Sequence, residues 1–133
     1  MSKASGLGWT TCSVDDAGGT PVVIKNDITD LQFSTPRAVQ DITGIDKSAM
    51  ERLLLLADFS ITLKGVFNAA ASHTVFRTVP STSVARTTTL AVNGVTLANE
   101  VLYTDYPLNR AANGELTFSA PGVLADGTVP TWA

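Results

Sequence analysis

At 133 residues the chain is long enough for one domain with a core of its own and too short for two substantial ones. Hydrophobic residues make up 44% and charged residues 16%, which excludes an extended disordered chain, and no apolar run approaches the ~20 residues a membrane helix needs. A formal charge of −3 argues against general affinity for nucleic acid, and one cysteine and one histidine leave neither an intrachain disulfide nor a typical zinc site.

The opening MSKASGLGW lacks the apolar stretch of a signal peptide, so synthesis and assembly in a cytoplasm are expected. Gly8 to Val14, Pro21 to Ile24 and Ile28 to Ser34 are strand candidates, the first two separated by the turn-forming run Asp15-Asp16-Ala17-Gly18-Gly19. From Asp46 to Ala57 the pattern changes. Met50, Leu53, Leu54 and Ala57 fall at i, i+3, i+4 and i+7, and Ser48 precedes Glu51 by three positions as in a capping box. An amphipathic helix of about three turns is expected there. Its apolar face would be buried, and Leu55 and Leu56 widen that face.

Strand periodicity then returns. Phe59, Ile61, Leu63, Gly65 and Phe67 alternate with Ser60, Thr62, Lys64 and Val66, which describes a half-buried strand. Ser72 to Val79 reads as a short helical turn stopped by Pro80. Asn93-Gly94 separates Val84–Val92 from Val95–Tyr106, and a two-residue type I′ turn there sets Val92 opposite Val95 and Leu90 opposite Leu97. A second Asn-Gly, Asn113-Gly114, leads into Glu115, Thr117 and Ser119 alternating with Leu116, Phe118 and Ala120, so a second hairpin is expected with its first strand near Leu108–Ala112. The class is mainly β, a sandwich or barrel in a single domain over 1–133 with one helix, about 46–57, packed on it.

Catalytic constellations are hard to build from these residues. His73 sits in Ala-Ala-Ser-His-Thr with no motif around it, and Cys12 has only Thr11 and Ser13 beside it, neither able to activate a thiol. Asp15-Asp16 with Gly18-Gly19 lacks the spaced oxygens and closing Glu of a calcium loop. Asp27, Asp30 and Asp41 have no spacing that marks a catalytic pair, and Ser5-Gly6-Leu7-Gly8 has no Lys for a phosphate loop. No enzyme, metal or cofactor is expected.

The segment from Asp41 through Thr43, Gly44, Asp46, Ser48 and Glu51 to Leu53 resembles a segment of siphophage tail tube proteins. Asp58 to Asn68, Ser72 to Val79, Tyr106 to Phe118 and Asp126 to Trp132 are similar to later parts of that family, so the likeness covers roughly residues 28–133, with 1–27 matched least. The resemblance implies a β-sandwich subunit, a structural virion protein whose hexameric rings stack into a tail tube that conducts DNA during ejection without binding it specifically. It also implies partners: further copies of the chain, a tape measure protein in the lumen, and tail terminator and tail tip proteins, with no membrane. On this reading Met50, Leu53, Leu54 and Ala57 serve assembly through the helix face, and Glu115, Thr117 and Ser119 are candidates to face the lumen. The tube of a contractile injection or secretion device, and a monomeric ligand-binding β-sandwich, are the alternatives.

Overall fold

Where apolar residues take every second position, the chain is extended and buries that face. A computed structural model describes residues 3–133. It contains strands β1 Thr11–Asp15, β2 Pro21–Val23, β3 Ile28–Ser34, β4 Arg37–Asp41, β5 Arg52–Ala57 and β6 Ser60–Val66. A short helix, α1 Ser72–Phe76, follows, and then β7 Arg86–Val92, β8 Val95–Tyr103, β9 Leu108–Arg110 and β10 Leu116–Leu124. Ile61, Leu63 and Gly65 of β6 point inward, as do Leu97 and Val101 of β8 and Phe118 and Ala120 of β10. Asn93 and Gly94 take φ of 50° and 85°, the positive values a type I′ turn needs, and the pairing Val92–Val95 and Leu90–Leu97 follows from that turn.

All pairings are antiparallel, and the main sheet runs β2-β1-β7-β8-β10-β6-β3 with β9 also on β10. The long strand β10 serves both halves: Leu116–Phe118 pair with β9, and Gly122–Leu124 pair with β8. Pro121, which has no N–H to donate, stands at the handover. One layer is therefore β9-β10-β6-β3 and the other β8-β7-β1-β2. Their inward residues, Ile61, Leu63, Phe118 and Ala120 from the first and Cys12, Val14, Leu90, Leu97 and Val101 from the second, form one core. This is the sandwich expected from the alternation.

Helix α1 sits against both layers. Val75 and Phe76 are fully buried, and the Phe76 ring lies 5.2 Å from Tyr103 of β8 and 5.7 Å from Phe118 of β10. The helix is held by Asp27, whose carboxylate accepts from Ser72 N at 3.2 Å and Asn68 Nδ2 at 2.9 Å. The Asp27 carbonyl accepts from Val66 N at 2.9 Å and presses so closely on Gly65 that no Cβ fits between them. A glycine is thus required at an inward position where alternation alone would place a large apolar residue.

The helix expected over 46–57 is not formed. Asp46 to Met50 lie in turns and irregular backbone, and Arg52–Ala57 is strand β5, paired with β4 through Val39–Leu54, Gln40–Leu53 and Asp41–Arg52. Ser48 caps nothing; Glu51 N donates instead to Thr43 Oγ1 at 2.8 Å, and Ile42 N donates to Glu51 O at 3.0 Å. The spacing of Met50, Leu53, Leu54 and Ala57 fits a helix, but Leu53 to Leu56 form an unbroken apolar run that fits a strand equally well. The cross-strand partner decided between them. The burial assigned to this face is also corrected: Met50, Leu53 and Leu54 are exposed and Ala57 is half-buried.

Candidate assembly surfaces

The outward face of the β9-β10-β6-β3 layer carries Thr117 and Ser119 of β10 opposite Val66 and Lys64 of β6, and then Thr62 and Ser60 opposite Gln32 and Ser34 of β3. Period two puts these residues on one face because their neighbours Phe118, Leu63 and Ile61 are drawn into the core. The Ser34 and Ser60 hydroxyls hydrogen-bond at 3.0 Å. Within the three long strands of this layer the only charged residues are Asp30 and Lys64, which are register partners. The result is a hydroxyl-rich wall of nearly neutral charge. Thr117 and Ser119 share it as the sequence suggested, whereas Glu115 sits in the exposed turn before β10, its N–H donating to Asn113 Oδ1 at 3.2 Å.

Both margins of this layer are unpaired. Among the described residues β3 pairs only with β6, and β9 only with β10. Each outer margin therefore offers a row of backbone donors and acceptors to another strand. Because every pairing in the layer is antiparallel, β3 and β10 run one way and β6 and β9 the other. The two free margins run in opposite directions.

The β4–β5 arm leaves the sandwich at the Ser34 end of β3 and returns at the Ser60 end of β6. A local network shapes its far end: Thr43 Oγ1 donates to Asp41 Oδ1 at 2.6 Å and Thr43 N to the same oxygen at 2.9 Å. These bonds hold the Asp41 carboxyl below its ordinary value of 3.8. Arg37 donates through Nε at 3.0 Å and Nη2 at 2.8 Å to the Leu55 carbonyl. The arm buries almost nothing. Val39, Ile42, Ile45, Met50 and all four of Leu53 to Leu56 are exposed, Leu56 at 85%. An isolated two-stranded sheet is marginal in water, and a contiguous exposed apolar surface marks an interaction site. Of the residues that the sequence reading assigned to a helix face, Leu53, Leu54 and Ala57 lie on strand β5 and Met50 lies just before it.

The titratable candidates are dispersed. His73 is packed between Phe67, 4.8 Å away, and Tyr106, 5.9 Å away, with Nδ1 3.3 Å from the Tyr106 hydroxyl. Cys12 is buried between the layers, and that burial pushes its thiol up to about 12, so it stays protonated and unreactive at neutral pH. Asp27, Asp30 and Asp41 belong to three separate sets of contacts, and the Asp16 carboxylate is occupied by the N–H groups of Gly18 and Thr20 in its own turn. Among the described residues no group of three His, Cys, Asp or Glu side chains is placed to hold a metal ion.

No protein-family model matches the chain, and no curated protein matches it in sequence. Solved structures do. A chain in the virion of a native gene transfer agent particle superposes with a TM-score of 0.75 at 16% identity, over 97% of this chain and 99% of that one. A chain in the C6-symmetric tail of the empty gene transfer agent particle superposes at 0.72 and 17% identity, over 98% of both chains. This chain has the fold of a gene transfer agent tail chain. The likeness runs almost end to end, so it takes in residues 3–27 and the arm, the regions in which the sequence resemblance was weakest or its expected conformation was wrong.

Proposed function

We propose that this protein is the structural subunit of a phage-like tail tube, built from six-membered rings that stack. What carries the reading is the β9-β10-β6-β3 layer with two free margins running in opposite directions, in a fold shared with a chain of a sixfold tail. Rotating one copy onto the next about a tube axis brings the β3 margin of each to the β9 margin of its neighbour. An even number of antiparallel strands makes that junction antiparallel too, so the sheet continues around the ring without a change of pattern or a remaining edge. The face bearing Thr117 and Ser119 then lines the channel, Glu115 lies at its rim, and the opposite face packs on the subunit core. The exposed arm packs on another copy, which supplies the apolar cover the sandwich does not give it.

A hydroxyl wall on which each Lys64 is matched by Asp30 in register suits the passage of DNA and of a tape measure protein, since phosphates meet no ring of net positive charge on which to dwell. Tail terminator and tip proteins would cap the two ends of such a stack. Cysteines placed in pairs along the margins of β3 and β9, around Gln32 and Asn109, test the junction: at least one pair is expected to give oligomers up to a closed six-membered ring on oxidation of assembled protein. Exclusive intrachain or absent cross-linking in assembled material refutes this arrangement. Thr117→Lys tests the lumen assignment. Repeated around each ring it is expected to leave assembly intact and to slow DNA ejection at low salt, with the slowing relieved as salt rises. Ejection kinetics identical to the unmodified tube at low salt place Thr117 outside the channel.

A further inference from the structure

The chain contains two Asn-Gly dipeptides, both in exposed turns and both followed by strands, yet the two turns hold their reacting atoms differently. In Asn113-Gly114 the attacking nitrogen and the side-chain carbonyl are both engaged: Gly114 N donates to Ala111 O at 2.9 Å, and Asn113 Oδ1 accepts from Glu115 N at 3.2 Å. Asp126-Gly127 is restrained in a similar way, with Asp126 Oδ1 accepting from Thr128 N at 3.0 Å. In Asn93-Gly94, among the described residues, neither Gly94 N nor the Asn93 side chain makes a hydrogen bond. Asn93 is exposed and, among the described residues, is the one non-glycine residue with positive φ, at 50°.

We infer that Asn93 is a site of spontaneous deamidation in the folded protein, selected over Asn113 by the hydrogen bonding of the two turns. The deprotonated Gly94 nitrogen attacks Asn93 Cγ, a new C–N bond closes a five-membered succinimide, and the side-chain amide leaves as ammonia. Water then opens the ring at either carbonyl, giving aspartate or isoaspartate, so that the net change is one water taken up and one ammonia released. At Asn113 the same nitrogen is held to Ala111 O and its proton is stabilised there, while the side-chain carbonyl is fixed toward Glu115. Isoaspartate routes the main chain through Cβ and lengthens a turn that must contain two residues to keep Val92 opposite Val95.

The test is peptide mapping of the intact folded protein after incubation at mildly alkaline pH, with isoaspartate read by enzymatic methylation, beside the same protein in denaturant. Conversion at Asn93 is expected to exceed that at Asn113 several-fold in the folded chain and to match it once the chain is unfolded, where both sites are simply Asn-Gly. Conversion of Asn113 at or above the rate of Asn93 in the folded protein overturns the inference. So does a folded protein in which Asn93 stays as intact as Asn113 while the denatured sample converts. Freshly prepared Asn93→Asp, kept from incubation and so carrying the charge without the extra backbone atom, is expected to melt above the isoaspartate fraction of the parent, and an equal or lower melting temperature would show that the isoaspartate does not disturb the turn.

Discussion

Two hairpins of this molecule solve the same pairing problem in opposite ways. In β7–β8 a two-residue turn sets the register and every second side chain goes inward, so Leu90 and Leu97 vanish into the core while Ala91 and Thr96 stay near the surface. In β4–β5 a ten-residue connection joins the strands and four leucines occupy consecutive positions, so apolar side chains leave both faces at once. The first hairpin needs only its own subunit to satisfy it. The second is paired strand to strand yet leaves its leucines unburied, the kind of surface that the proposed packing on another copy would cover. Alternation records which face meets the chain's own core; its loss over Leu53 to Leu56 fits the proposed packing of the arm on another copy.

The sharpest break of this comparison is a pair of substitutions with opposite readouts. Leu97→Ala removes a fully buried side chain and is expected to destabilise the subunit by about 2–5 kcal/mol, a large share of a typical total of roughly 5–15 kcal/mol. Thermal or urea unfolding of the unassembled protein measures it. The double change Leu54→Asp with Leu56→Asp places charges on side chains already in water and is expected to leave the unfolding midpoint within about 0.5 kcal/mol of the parent. Assembly of that variant, followed by light scattering and electron microscopy, is expected to fail. A large loss of subunit stability in the arm variant, with assembly intact in whatever remains folded, reverses the roles assigned to the two hairpins.

A smaller effect sharpens the picture of the arm. Hydrogen bonds from Thr43 lower the Asp41 pKa, so the carboxylate form favours the arm's folded shape. Its contribution is present above the unfolded value near pH 4 and is lost as pH falls through the lower folded value. Protection against amide exchange at Thr43 and Glu51, taken relative to the intrinsic rate at each pH, is therefore expected to fall on acidification before that of β7 and β8, and Asp41→Asn is expected to blunt the pH response. Equal response in the two hairpins would show that the Asp41–Thr43 network does not hold the arm.

Much of the sandwich is legible in the sequence because its strands are half-buried within one subunit. Ile61 and Leu63, Leu90 and Leu97, and Phe118 and Ala120 each declare a face by period two, and Asn93-Gly94 declares the register. The face carrying Thr117 and Ser119 was legible for the same reason. Strand β4 was not, since Arg37 to Asp41 contains one large apolar residue, Val39, and no alternation. Strand β5 was misread because leucine favours helices and its spacing from Met50 satisfies a helical period, while the information that selects a strand lies in the pairing with β4. Gly65 and Gly122 lie inward at positions that read as gaps in the pattern; close approach of the Asp27 carbonyl to one and of Val101 and Tyr103 to the other explains them only in three dimensions.

The most direct test of the tube reading is a reconstruction of the assembled protein by electron cryomicroscopy at a resolution that separates strands. The account predicts sixfold rings in which β3 of each copy pairs antiparallel with β9 of the next, Thr117 and Ser119 face the channel, and Leu53 to Leu56 are buried against another copy. An assembly without sixfold symmetry, or a sixfold tube in which the β3 margin stays unpaired and the arm leucines remain in solvent, contradicts it.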